Sequence, residues 1–297
     1  MRHEIIHLNA LYPLEYDPIL EAFISKKPDY DLKPRRAMLV LPGGGYEYTS
    51  DREADPIAFA FGAKGYVSFV LRYTCKNNGS PVFPTPNTEV MAAVDYIRKN
   101  AKEYGVDPDK ICLVGFSAGG HLAASYGYVY KNENLLNRMD LTAEEVKPNA
   151  LILSYAVIST GTFTHTGSAR NACASDPDLL RYLSVEDHVD ETYPMTFAWC
   201  TLTDQAVPCE NTKMLEEKLI KFNVPHQVVY YPVGPHGMSL ANEATDDGRA
   251  DMNSKEVAGW VDLANEFILK AGGFNGADKI EANVNNLIRI TVDEDND

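Results

Sequence analysis

Three residues on separate stretches of the chain have the types and the order that acyl-transfer chemistry needs. Ser117 sits in Gly115-Phe116-Ser117-Ala118-Gly119, a G-x-S-x-G pattern. An apolar run at 111–114 leads into it and an Ala-rich stretch at 118–130 leads out. That is the strand–turn–helix context in which a sharp turn presents a serine hydroxyl as a nucleophile. The flanking glycines relieve crowding in such a turn, and the helix N-terminus brings backbone dipoles to the reacting group. The competing reading is a serine that only caps the helix of an α/β crossover.

A nucleophilic serine needs a base, and the base needs a carboxylate to orient it. On a strand–turn–helix scaffold of this kind the chain order is Ser, then Asp or Glu, then His. Seven histidines compete. His3 and His7 come too early, and His121 lies one turn into the helix after Ser117, where packing is the expected role. His165 and His188 fall in a stretch without clear periodicity, and His226 begins a strand. His236 follows the apolar run 227–231 in the rigid loop Pro232-Val233-Gly234-Pro235-His236-Gly237, and is the choice. Asp204 follows the run 196–200 and precedes a helical pattern, 87 positions beyond Ser117 and 32 before His236. Asp187 and Asp190 are its rivals, and capping the next helix is its alternative role.

The tetrahedral intermediate of acyl transfer also needs N–H donors for its oxyanion, each worth roughly 3 kcal/mol. Ala118, the residue after the nucleophile, supplies one. Gly43-Gly44-Gly45-Tyr46 follows the run 37–41 where lipases carry His-Gly-Gly-Gly, with Pro42 in place of histidine. Glycines there let backbone approach a substrate closely.

These groups need a frame. Apolar runs at 37–41, 67–71, 111–114, 150–153, 196–200 and 227–231 each read as a buried strand. Between them lie helical patterns at 87–104, with Asn87 as the expected N-cap, and at 208–222, opened by Pro208; a further pattern runs over 253–270. Alternation of this kind predicts an α/β fold: a mostly parallel central sheet with helices on both faces. Residues 155–193 break the rhythm and read as a small cap or lid insertion, and an acidic tail fills 271–297. The 297 residues are expected to form one domain.

The net charge of −15 argues against a nucleic-acid partner. No run approaches the roughly 18 apolar residues of a membrane span, and the opening residues lack the apolar core of an export signal. Cys75, Cys112, Cys173, Cys200 and Cys209 show no metal-type pairing. Free thiols in a cytoplasmic protein are the expectation.

The residues 42–61 (PGGGYEYTSDREADPIAFAF), 115–125 (GFSAGGHLAAS), 183–189 (LSVEDHV), 203–208 (TDQAVP) and 234–240 (GPHGMSL) resemble bacterial α/β-hydrolase esterases. The resemblance is to the acetyl-xylan-esterase-like branch, near the bifunctional feruloyl/acetyl xylan esterases, and covers about 38–269. It implies the α/β-hydrolase fold, Ser117 as nucleophile with Asp204 and His236, and Gly44, Gly45 and Ala118 as oxyanion donors. It also implies deacetylation of small acetylated carbohydrates without metal or organic cofactor. Ser50-Asp51-Arg52-Glu53 matches a family stretch whose role the sequence does not reveal. Tyr46, Tyr48, Tyr155 and Phe163 are candidates to line the site, since aromatic faces cover the apolar side of a sugar; packing of the cap is their other role. Formamidase-like or peptidase-type use of the same residues, and a non-catalytic binding protein of the same fold, are the alternatives. The sequence is compatible with a homo-oligomer.

Overall fold

The computed structural model describes residues 2–25, 33–76 and 82–271. Eight strands form one sheet: β1 (Arg2–His7), β2 (Ile19–Ile24), β3 (Arg35–Leu41), β4 (Val67–Arg72), β5 (Val106–Phe116), β6 (Ala150–Ser154), β7 (Met195–Thr201) and β8 (His226–Tyr231). Their order is β1-β2-β4-β3-β5-β6-β7-β8. β1 pairs antiparallel with β2 and β2 antiparallel with β4, while every pairing from β4 to β8 is parallel. This is the α/β-hydrolase fold.

The six expected strands are β3 to β8. Their continuous apolar runs follow from burial on both faces. Leu39, Leu113, Leu151 and Ala198 point into a core shared with helices Thr85–Lys99 and Ser117–Val129. Met38, Val40, Val114, Ile152, Phe197 and Trp199 point the other way, against helices Asp55–Ala63 and Trp260–Ala271. Trp199 and Trp260 stack there, ring centroids 5.5 Å apart.

β1 and β2 lie outside the expected set. β1 is an edge strand, exposed or half-buried along its length; three polar residues, Arg2, His3 and Glu4, precede Ile5 and Ile6, and no apolar run forms.

Two boundaries are corrected. The helix expected at 87–104 begins at Thr85 after Pro84, so Asn87 is not its cap. Asn87 is buried inside the helix and donates to Ser125 Oγ at 3.4 Å. The helix expected to open at Pro208 begins at Glu210. Within 155–193 the chain forms helices Thr166–Cys173 and Pro177–Tyr182 and a 3-10 turn, Val185–Asp187. Apart from Ala271, which ends the last helix, the acidic tail lies outside the described residues. No helix among the described residues is long and apolar enough to cross a membrane.

Candidate active site

The parallel strands deliver their loops to one edge of the sheet. β5 ends at Phe116 in extended conformation, and helix Ser117–Val129 starts at the next residue. Ser117 has φ of 51°, in the left-handed region that an L-residue adopts only under constraint from its surroundings. The constraint is close packing. A Cβ on Gly119 would lie 2.2 Å from Leu41 O and 2.3 Å from Pro42 O; one on Gly115 would lie 2.2 Å from Gly119 O. Strand and helix therefore touch through bare backbone, and the serine side chain is turned out at the bend.

His236 Nε2 lies 2.8 Å from Ser117 Oγ, and His236 Nδ1 lies 2.6 Å from Asp204 Oδ2. Because the carboxylate accepts from Nδ1–H, Nε2 is left as acceptor for the serine hydroxyl. Asp204 is itself fixed: its Oδ1 accepts the N–H groups of Ala206 at 2.8 Å and Val207 at 2.9 Å. Its side chain is fully buried, whereas the imidazole is one-quarter exposed. The histidine loop is anchored to the end of β7: Thr201 Oγ1 and Thr203 Oγ1 donate to Gly234 O, and Gly234 N donates to Thr203 Oγ1.

The rival carboxylates stand elsewhere. Asp187 is exposed on the 3-10 turn. Asp190 accepts from Thr192 N and Oγ1 and pairs with Lys131; against partial desolvation, the Thr192 hydrogen bonds and then the Lys131 charge hold its carboxyl below the usual range.

The glycine loop lies against Ser117: a Cβ on Gly43 would meet Ser117 Cβ at 3.1 Å. Gly43 N–H donates to Glu53 Oε2 at 2.8 Å. Gly44 and Gly45 both have positive φ, and their N–H groups meet no acceptor among the described residues. Asn171, from the helix Thr166–Cys173, donates to Gly45 O at 2.8 Å, so the expected cap segment holds this loop from above.

The four candidate aromatics separate into two pairs. Tyr48 and Phe163 are exposed. Tyr46 and Tyr155 are buried with their hydroxyls engaged, which leaves neither ring an open face for a sugar. Tyr46 OH meets His121 Nδ1 at 2.7 Å, and His121 Nε2 lies 2.8 Å from Leu183 O. Burial lowers the pKa of His121, so its neutral form donates to Leu183 from Nε2 and accepts from Tyr46. Tyr155 packs edge-on to His236, centroids 5.1 Å apart, and beneath the site against Trp199.

Two residues named in the sequence without a role at the site bear on it. Burial and then the His236 charge lower the pKa of His165, against Asp204. Glu53 is buried beside the nucleophile's loop, and burial raises its carboxyl above the ordinary range. Among the described residues no group of three or more His, Cys, Asp or Glu could hold a metal ion.

Fold and site together define an α/β hydrolase with a serine–histidine–aspartate hydrogen-bonded chain. The chain belongs to the BD-FAE family, whose model matches residues 26–219. It is 36% identical over 212 residues to endo-1,4-beta-xylanase B of Butyrivibrio fibrisolvens, covering 70% of this chain and 33% of that protein. It is 28% identical over 216 residues to an acetylxylan esterase of Xylanibacter ruminicola, covering 69% and 41%. The chain thus spans well under half the length of these two relatives. Among solved structures, the carboxylesterase Cest-2923 of Lactobacillus plantarum superposes with a TM-score of 0.83 at 29% identity, over 92% of this chain and 98% of that one. The acetyl ester-xyloside bifunctional hydrolase of Caldicellulosiruptor lactoaceticus superposes with a TM-score of 0.75 at 29% identity, over 91% and 96%.

Proposed function

We propose that the protein is a serine carboxylic-ester hydrolase that removes O-acetyl groups from small carbohydrates, acetylated xylo-oligosaccharides being the class in view. The observation that carries the reading is the chain from Ser117 Oγ through His236 to Asp204, at 2.8 and 2.6 Å, with the serine held on a left-handed turn. Ser117 Oγ attacks the acetyl carbonyl as His236 Nε2 takes its proton. The N–H groups of Gly44, Gly45 and Ala118 receive the oxyanion. His236 then protonates the departing sugar hydroxyl, leaving an acetyl-serine. Water, deprotonated by the same imidazole, attacks that ester, and collapse of the second intermediate releases acetate and returns the proton to Ser117.

The sugar class is supported by the likeness to a xylanase, an acetylxylan esterase and an acetyl ester-xyloside hydrolase. A small acyl group suits the small residues adjoining Ser117, which are Gly43 and Ala118. Tyr48 and Phe163 are the aromatics left free to meet a sugar. All five cysteines are unbridged, which suits the cytoplasm we propose as its location.

The test is acetate release from acetylated xylan, mannan and chitin oligomers, alongside a p-nitrophenyl ester series from acetate to decanoate. Ser117→Ala should lower turnover by about three orders of magnitude or more. Near-wild-type turnover in that variant would overturn the mechanism, and a kcat/KM rising beyond butyrate would overturn the short-acyl preference.

A further inference from the structure

Residues 50–53 carry a family stretch that the proposed chemistry does not use. Their contacts are unusually far-reaching. Glu53 accepts Gly43 N–H through Oε2 at 2.8 Å and the Tyr155 hydroxyl through Oε1 at 2.6 Å. Tyr155 OH in turn accepts Ser239 N–H at 3.0 Å, three residues beyond His236. Ser239 Oγ donates to Arg52 O at 2.6 Å. The Arg52 guanidinium donates to Gly237 O at 3.1 Å and, from Nε at 2.7 Å, to Thr245 O. Two adjacent residues thus hold the loop before the nucleophile and the loop that carries the base.

We propose that Glu53 is a positioning residue: its carboxylate sets the glycine loop at one oxygen and, through Tyr155, the histidine loop at the other, so the oxyanion donors and the base are held in one register. The inference rests on the serine-hydrolase reading above. The chemistry explains the residue type. Two donors, an N–H and an O–H, meet one buried side chain, and a carboxylate, which only accepts and has two equivalent oxygens, receives one on each. Burial raises the Glu53 carboxyl, while Tyr155 OH, Gly43 N–H, His236 and Arg52 all pull it back down. By aligning Gly43, Glu53 aims the next two amides of the same turn, Gly44 and Gly45, which are the oxyanion donors proposed above.

The experiment combines active-site titration by a fluorophosphonate with kinetics on p-nitrophenyl acetate. Wild-type protein should label at Ser117 and turn over the ester; a wild type that does neither would end the hydrolase reading itself, and this proposal with it. Glu53→Gln should titrate fully, with kcat per titrated site about 10–100-fold lower and KM within about twofold, because misaligned donors weaken transition-state binding rather than substrate binding. Tyr155→Phe should lose about three- to tenfold, and the double variant should be no worse than Glu53→Gln alone, since both break one relay. A Glu53→Gln enzyme with wild-type kcat per titrated site, or one whose loss matches its titrated fraction, would overturn the proposal. Should that variant not fold, Tyr155→Phe decides: wild-type kcat per titrated site would overturn the proposal, and a threefold or greater loss would uphold it.

Discussion

Asp204 shows how one side chain serves two structures at once. Oδ1 closes the turn onto Ala206 and Val207, and Oδ2 orients His236. Replacing it by asparagine keeps an oxygen for the turn but turns an amide toward Nδ1. The imidazole then favours the tautomer with hydrogen on Nε2, which cannot accept the serine proton. Asp204→Asn is expected to lower kcat about 10³–10⁴-fold with little change in Tm, whereas Asp187→Asn and Asp190→Asn should stay near wild type in the same assay. Ser117, Asp204 and His236 were legible because each sits where a strand pattern gives way to a turn, in a chain order with few rivals. Glu53 was not legible. Its partners lie 10 and 102 residues away, and nothing in the local stretch distinguishes a buried acceptor from a helix cap. Tyr155 misled for a related reason: an aromatic beside a site reads the same whether its face is open to ligand or, as here, closed against Trp199 and His236.

At the scale of elements, the presentation of Ser117 depends on how closely helix Ser117–Val129 approaches β3. Gly119 is the point of contact, and its surroundings are main-chain oxygens that have no rotamer to change. Gly119→Ala should therefore push helix and strand apart, costing about 1–3 kcal/mol in urea denaturation and most of the esterase activity. Gly62, in helix Asp55–Ala63, has open space where a Cβ would go. Gly62→Ala should instead gain up to about 1 kcal/mol from helix propensity and leave activity unchanged. If Gly119→Ala proves as benign as Gly62→Ala, the close approach does not hold the elbow. The strands β3 to β8 were legible because two-sided burial writes itself as an uninterrupted apolar run. β1 forms the antiparallel edge, where its residues are exposed or half-buried and the apolar run is lost, whereas β2 is mostly buried and its apolar residues are interrupted by Glu21.

Across the whole molecule, polar groups buried within an apolar frame tie stability to pH. Glu89 is fully buried in helix Thr85–Lys99 and accepts Thr74 N and Oγ1; burial pushes its carboxyl up to about 7 against those two bonds, from 4.5. Between about pH 4.5 and 7 the folded chain holds this proton more tightly than the unfolded one, so Glu89 makes stability fall as pH rises. The effect reaches at most about 3 kcal/mol above pH 7. Glu89→Gln, whose amide can meet both Thr74 groups, should be the more stable protein at pH 8 and lose its advantage by pH 4.5 in paired thermal melts. A difference between the two proteins that does not change with pH would contradict the assignment. The two tryptophans of the chain carry another consequence. Trp199 touches Tyr155, and Trp260 donates from Nε1 to Ser239 O, three residues beyond His236. Both indoles therefore lie one residue away from the loop that carries His236, through Tyr155 and through Ser239, and intrinsic emission is a native optical gauge of that loop that needs no label.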